Sequence, residues 1–378
     1  MKEIDLAFRT LFAELAQRCL DASFHSDFPT DGRFVVVPVK GRDYWYFDRK
    51  DGDKPARKYV GPRGDPDLDR RVAAFQAIKD DLKARRKLVA TLTRQAGLPS
   101  PERFTGDIVE AMAAAGLFRL RGVLVGTVAF QCYSGLLGVR LPASSMQTGD
   151  ADFAQFHSVS AAIEDSLPPI LDLLRGIDDT FQEIPHQSDG RRSTAFQNAS
   201  RYRVEFLTPN RGSADHDGRP AHMPALGGAS AEPLRFLDFL IHEPYRSVML
   251  LRSGVVVTIP APERYALHKL IVAVRRHNEG LSAIKRDKDV RQADLLIEAL
   301  GMTRRQADLA SVYAEAWRRG PAWREALTTG LAYLTRPRAE LARNILAEGL
   351  KEIDEKPDNF ELTDGFAGTS TPQPKRRH

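Results

Sequence analysis

Phe118-Arg119-Leu120-Arg121-Gly122-Val123-Leu124-Val125-Gly126-Thr127 and, further on, Gly149-Asp150-Ala151-Asp152-Phe153 are the stretches from which the fold is read. An apolar run ends at a small-residue turn, and a second run opens with two carboxylates spaced i, i+2, which leave the same face of a strand. A third acid, Glu205, is bracketed by apolar residues in Arg203-Val204-Glu205-Phe206-Leu207, another run that reads as strand. Three strand-borne carboxylates form a candidate divalent-metal set, Asp150, Asp152 and Glu205. The Gly126-Thr127 turn beside them offers backbone amides at a helix N-terminus, where a phosphate chain would sit.

Working outward, the spacing predicts a helix over Val128–Leu137 and strands near Phe181–Ile184, Thr194–Gln197 and Tyr202–Thr208. A helix is expected over Ser158–Leu174, bent at Pro168-Pro169. Pro209–Pro233, rich in Gly, Pro, Ser and Asp, reads as a long surface loop, and its His216, Asp217 and His222 lack metal-ligand spacing. Ser247–Leu251 and Val255–Ile259 flank Arg252-Ser253-Gly254 as a hairpin. From Pro262 onward the period becomes helical, with helices over 262–277, 288–300, 303–318, 323–334 and 337–353.

Before this core, an amphipathic helix (Lys2–Asp21) precedes strands around Phe34–Val39 and Tyr44–Phe47, an Asp51-Gly52 turn, and Arg57–Val60. Two helices follow, Val72–Ala96 and Pro101–Ala115. The expected class is therefore α/β (α+β): a mixed-sheet core over 117–260, an N-terminal helix with a small basic β-hairpin module over 1–64, linking helices over 65–116, a helical domain over 261–355, and a disordered tail over 356–378.

The chain has 378 residues, with 55 basic and 50 acidic side chains giving a net charge of +5. That balance is too mild to demand a polyanionic partner, so local distribution decides. Residues 40–63 hold eight basic side chains against four acids, interleaved with aromatics, and the run Lys83-Ala84-Arg85-Arg86-Lys87 adds another cluster. The hairpin reads either as a phosphate-and-base surface or as a small sheet with solvated charges. Cys19 and Cys132 provide neither a disulfide framework nor a metal motif. With no apolar run near 18 residues and acids in Met1-Lys2-Glu3-Ile4-Asp5, a cytoplasmic protein with no membrane partner is expected.

The order Gly126-Thr127, Asp150-Ala151-Asp152 and an isolated Glu205 resembles the nucleotidyltransferase superfamily of DNA polymerase beta type over roughly residues 118–260. The resemblance implies Mg²⁺-dependent transfer of a nucleoside monophosphate from an NTP to an acceptor, with pyrophosphate released. Asp150, Asp152 and Glu205 would hold two Mg²⁺ ions, and Gly126 and Thr127 would bind the phosphates. Thr127 stands where the pattern has Gly or Ser, and the gap to Asp150 is longer than in minimal members. Pro262–Leu270 and Arg286–Asp294 look like helices of bacterial abortive-infection, toxin-type nucleotidyltransferases. By that likeness Lys269 would contact NTP phosphates, and Lys288 and Asp289 would support the site. An RNA 3′ end, reached through the basic hairpin and the Lys83–Lys87 helix, is one acceptor it allows, and a neutralising protein partner is a role left open by it.

The alternatives are transfer to a small molecule or protein hydroxyl, and a catalytically silent nucleic-acid or partner-binding protein. Glu183, on the preceding strand, competes with Glu205. Lys269 also reads as a snorkelling surface lysine, and Arg275, Arg276 and His277 as complements to a helix dipole.

Overall fold

The computed structural model describes residues 1–21, 32–39, 41–51, 54–142, 146, 148–162, 165–210, 219–276 and 280–362. His216, Asp217, His277 and most of the expected tail lie outside these. Strand β1 (Lys2–Glu3) and helix α1 (Leu6–Asp21) are followed by an antiparallel meander, β2 (Arg33–Val39), β3 (Arg42–Asp51) and β4 (Lys54–Pro62). Alternation along β3 gives the meander two faces. Phe47 is buried in edge-to-face contact with Phe34 and Phe75, whereas Tyr46 packs against the exposed Tyr59 of β4. One face of the module is thus packed on Phe75, and Tyr59 of the other is exposed.

Helix α2 (Pro66–Arg94) runs from the meander to the body and packs on α1 around a small core that includes Leu15, Leu92 and Val248. Within the Lys83–Lys87 run, Arg85 turns inward, paired with Asp81 at 3.0 Å and donating to the Cys19 sulfur at 3.4 Å. Lys83, Arg86 and Lys87 stay exposed, so this basic cluster is thinner than its sequence implies.

Helix α3 (Arg103–Ala115) ends at Gly116 in the left-handed conformation. The apolar run after it does not begin as strand. Residues 118–121 form a turn that buries Leu120, and only β5 (Val123–Val125) pairs into the sheet before α4 (Gly126–Leu137) starts. After β6 (Val139–Arg140) come β7 (Asp150–Ala154) and two short helices, α5 (His157–Ala162) and α6 (Ile170–Arg175). The proline pair therefore stands between two helices where one bent helix was expected.

Strands β8 (Gln182–Pro185), β9 (Ser193–Gln197) and β10 (Arg203–Pro209) lie close to their expected positions. The expected loop over 209–233 instead contains β11 (Ala221–His222), a 3₁₀ turn at Pro224–Leu226, and β12 (Ser230–Leu234), which is parallel to β10. Its interior is built from Ala and Ser, so it lacks the bulky apolar pattern that marks a strand. Pro233 can sit in it because only part of its length is paired on both sides.

The main sheet is mixed, ordered β11-β12-β10-β7-β5. β9 shares the edge of β10 with β12, and β8 pairs with β9. β7 is parallel to β10 and antiparallel to β5. α7 (Leu237–Leu240) and the hairpin β13 (Tyr245–Met249) and β14 (Val255–Ile259) then lead to five helices: α8 (Pro262–Val274), α9 (Gly280–Met302), α10 (Gln306–Arg318), α11 (Pro321–Ala332) and α12 (Arg336–Glu352). One hydrophobic core extends from Ile108 through the sheet and α8 to Leu362.

Gly330 lets α11 approach the α8 backbone, and a Cβ there would stand 2.8 Å from the Leu270 carbonyl oxygen. Backbone cannot move aside as a flexible side chain can. Gly330→Val is therefore expected to lower stability by about 1–3 kcal/mol in urea unfolding.

Candidate active site

Register places the three acids together. In the parallel pair, Arg203 is opposite Asp150 and Glu205 is opposite Asp152, on strands about 5 Å apart. Antiparallel pairing sets Val125 opposite Asp152, so the Gly126 turn lies at the same corner of the sheet. Gly126 has φ +67°, and a Cβ on it would collide with the Asp152 carboxylate. Only glycine meets both demands.

Glu183, the rival third acid, pairs with Phe196 two strands away and takes no part in lining the cleft. His222 is exposed on β11, also away from it.

Burial raises the Asp152 carboxyl to about 7, reinforced by the charges of Asp150 and Glu205 and opposed by Lys269 and Lys285. Asp150 accepts a hydrogen bond from Thr148, and Glu205 is ion-paired with Arg203 at 2.8 Å. Among the described residues no three His, Cys, Asp or Glu side chains are arranged to hold a metal ion. The donor set nevertheless fits a hard cation. Three carboxylates repel one another at one corner, and a divalent ion would relieve that repulsion once Glu205 turned from Arg203.

These groups form one wall of a cleft of about 1090 Å³. Much of the remaining lining is cationic and comes from the α8–α9 segment. Lys269 Nζ lies 2.6 Å from Asp289, and Arg276 donates to the same carboxylate at 2.5 Å. Burial alone would raise the Asp289 pKa, but Lys269 and Arg276 outweigh it and hold it below the usual value. Lys285 and Lys288 extend this lining, and Arg275 lies over the Phe236 ring at 4.9 Å while also lining the cleft.

Tyr265, one turn before Lys269, donates to the Gly126 carbonyl at 2.9 Å and so ties the cationic lining to the glycine turn. His268 is driven down to about 3 by burial and by Lys269 and Arg276, so it is neutral, and among the described residues its buried Nδ1 has no hydrogen-bond partner. The sequence singled out Lys269, Lys288 and Asp289 but missed Arg203, Tyr265, His268 and Lys285. For Arg203 the signal was its i, i+2 spacing from Glu205.

Residues 103–318 match a protein family described as nucleotidyltransferase. The chain belongs to that family. The matched segment of this nucleotidyltransferase starts with α3 and ends with α10, so it contains every residue that lines the cleft. Its chemistry is that of a transferase of nucleotidyl type, and NTP is the corresponding substrate class. The meander, α11 and α12 lie outside the match. No curated protein and no solved structure matches the chain, and among the described residues no helix is long and apolar enough to cross a membrane.

Two substitutions probe the two parts of the lining. Gly126→Ala is expected to displace Asp152 and to cost about 1–2 kcal/mol of stability in thermal unfolding. Asp289→Ala strands two largely buried cations and should cost about 3–5 kcal/mol in denaturant. Because the folded carboxyl pKa is depressed, the wild-type contribution is complete above pH of about 4 and is lost as pH falls through the folded value. The loss measured for Asp289→Ala should shrink in step.

Proposed function

We propose that this chain transfers a nucleoside monophosphate from an NTP to the 3′ hydroxyl of an RNA acceptor, releasing pyrophosphate. The observation that carries the reading is that one cleft is lined by both the strand-borne acids and a set of cations. The acids are Asp150, Asp152 and Glu205, and the cations Lys269, Arg276, Lys285 and Lys288. A triphosphate between them would meet cations along its chain, with its α-phosphorus toward the acids.

Asp150, Asp152 and Glu205 would hold Mg²⁺, which when bound supplies charge neutralisation at the α-phosphate and lowers the pKa of the acceptor hydroxyl. The acceptor oxygen forms a bond to the α-phosphorus as the bond to the β-phosphate oxygen breaks. The pyrophosphate leaves with the electron pair, and the acceptor proton passes to solvent. The amides at the α4 N-terminus, beginning at Gly126 and Thr127, hold the departing phosphates through the positive end of the helix dipole. Lys269 and Arg276, fixed by Asp289, neutralise charge without having to reorganise. The exposed Tyr59 and the solvent face of the meander support an RNA acceptor in preference to a small molecule or a protein hydroxyl.

The test is incorporation of α-³²P-labelled NTP into RNA with Mg²⁺. Wild type should label RNA, and Asp150→Asn, Asp152→Asn and Glu205→Gln should each reduce labelling by about a hundredfold or more. Labelling that persists in Asp152→Asn would refute the assignment.

A further inference from the structure

Helix α9 has a second lined side. Lys285, Lys288 and Asp289 face the cleft, whereas Arg286, Val290 and Asp294, four residues apart, line a separate pocket of about 510 Å³. Asp287 and Arg291 belong to both and form the ridge between them. The far wall of the pocket is Tyr333, Leu334, Thr335 and Arg338, from the end of α11 and the start of α12. That wall lies outside the matched segment.

We propose that this pocket is an acceptor subsite that binds one unstacked nucleotide of a single-stranded RNA, whose 3′ end crosses the Asp287–Arg291 ridge into the cleft. The proposal rests on the nucleotidyl-transfer reading and adds the place where the acceptor strand lies. The pocket has the volume of a small-molecule site and an aromatic floor. Tyr333 is 39% exposed, and the Arg286 guanidinium lies over its ring at 5.6 Å from the centroid, so a base can stack on this cation–ring pair. Arg338 is held by Asp294 at 2.8 and 2.9 Å and by Glu298 at 2.6 Å, which fixes its guanidinium plane at the pocket wall. Arg291 stands exposed on the ridge, where the backbone of a strand joining the two sites would pass. Arg286 is paired with Asp287, and Arg338 with Asp294 and Glu298, so Arg291 is the cation offered to a phosphate of the strand, and Val290 and Leu334 give too little apolar area to anchor a peptide.

The test measures fluorescence anisotropy of the full chain with a fluorescein-labelled oligouridylate of about ten nucleotides. Equilibrium dialysis of labelled ATP is run alongside. Tyr333→Ala should weaken oligonucleotide binding by about fivefold or more, while Tyr333→Phe retains it and ATP binding is unchanged in both. Arg286→Glu should weaken the oligonucleotide and flatten its salt dependence. Equal oligonucleotide affinity in wild type and Tyr333→Ala, or no binding by wild type, would overturn the subsite. Absence of ATP binding by wild type would instead overturn the nucleotidyl-transfer reading.

Discussion

The parallel pairing of β7 with β10 is the constraint on which the site depends. Side chains alternate along a strand, so a slip of one residue would send Glu205 to the opposite face from Asp150 and Asp152. Register is held from below by apolar packing. Phe153 and Phe206 stack at 5.8 Å on the buried face, and Phe196 meets Phe206 edge-on at 6.1 Å. The aromatic stack that closes the core therefore also sets the spacing of the carboxylates above it. Crowding like charges at that corner opposes folding, and the opposition is relieved by Arg203 beside Glu205 and by the cations of the α8–α9 segment.

The cations of that segment are organised around one buried carboxylate. Asp289 lies between α8 and α9 and accepts from cations on the first helix and at its end, which keeps two positive groups at the cleft where burial would otherwise disfavour them. The same pair of helices carries Tyr265 to the Gly126 carbonyl. Charge placement and turn geometry are thus linked through a single helix, α8. A change in how α8 packs would be felt at the Gly126 turn as well as at the lysine.

Much of this was legible in the sequence, for identifiable reasons. The Asp-Ala-Asp pair and Glu205 stand out because period-two polarity inside apolar runs has few other causes. β8, β9, β10, β13 and β14 follow from branched and aromatic residues between turn formers. β12 was hidden because its buried positions hold Ala and Ser, whose composition matches a loop. The start of α9 was hidden because its first turns face a polar cleft and carry no apolar stripe. Tyr265 matters through the Gly126 carbonyl, far away in the chain, which no local pattern encodes. The Lys83–Lys87 run shows the converse, since Arg85 is drawn inside by Asp81 and Cys19.

The core that runs without interruption from Ile108 to Leu362 has a consequence for turnover. The two sides of the cleft are not shells hinged on a linker, because they share one interior of interlocked aliphatic and aromatic groups. Swinging them apart would tear dispersion contacts across the molecule. Entry to and exit from the cleft then depend on water and on rotation of long cationic side chains at a standing aperture, with no large-scale gape.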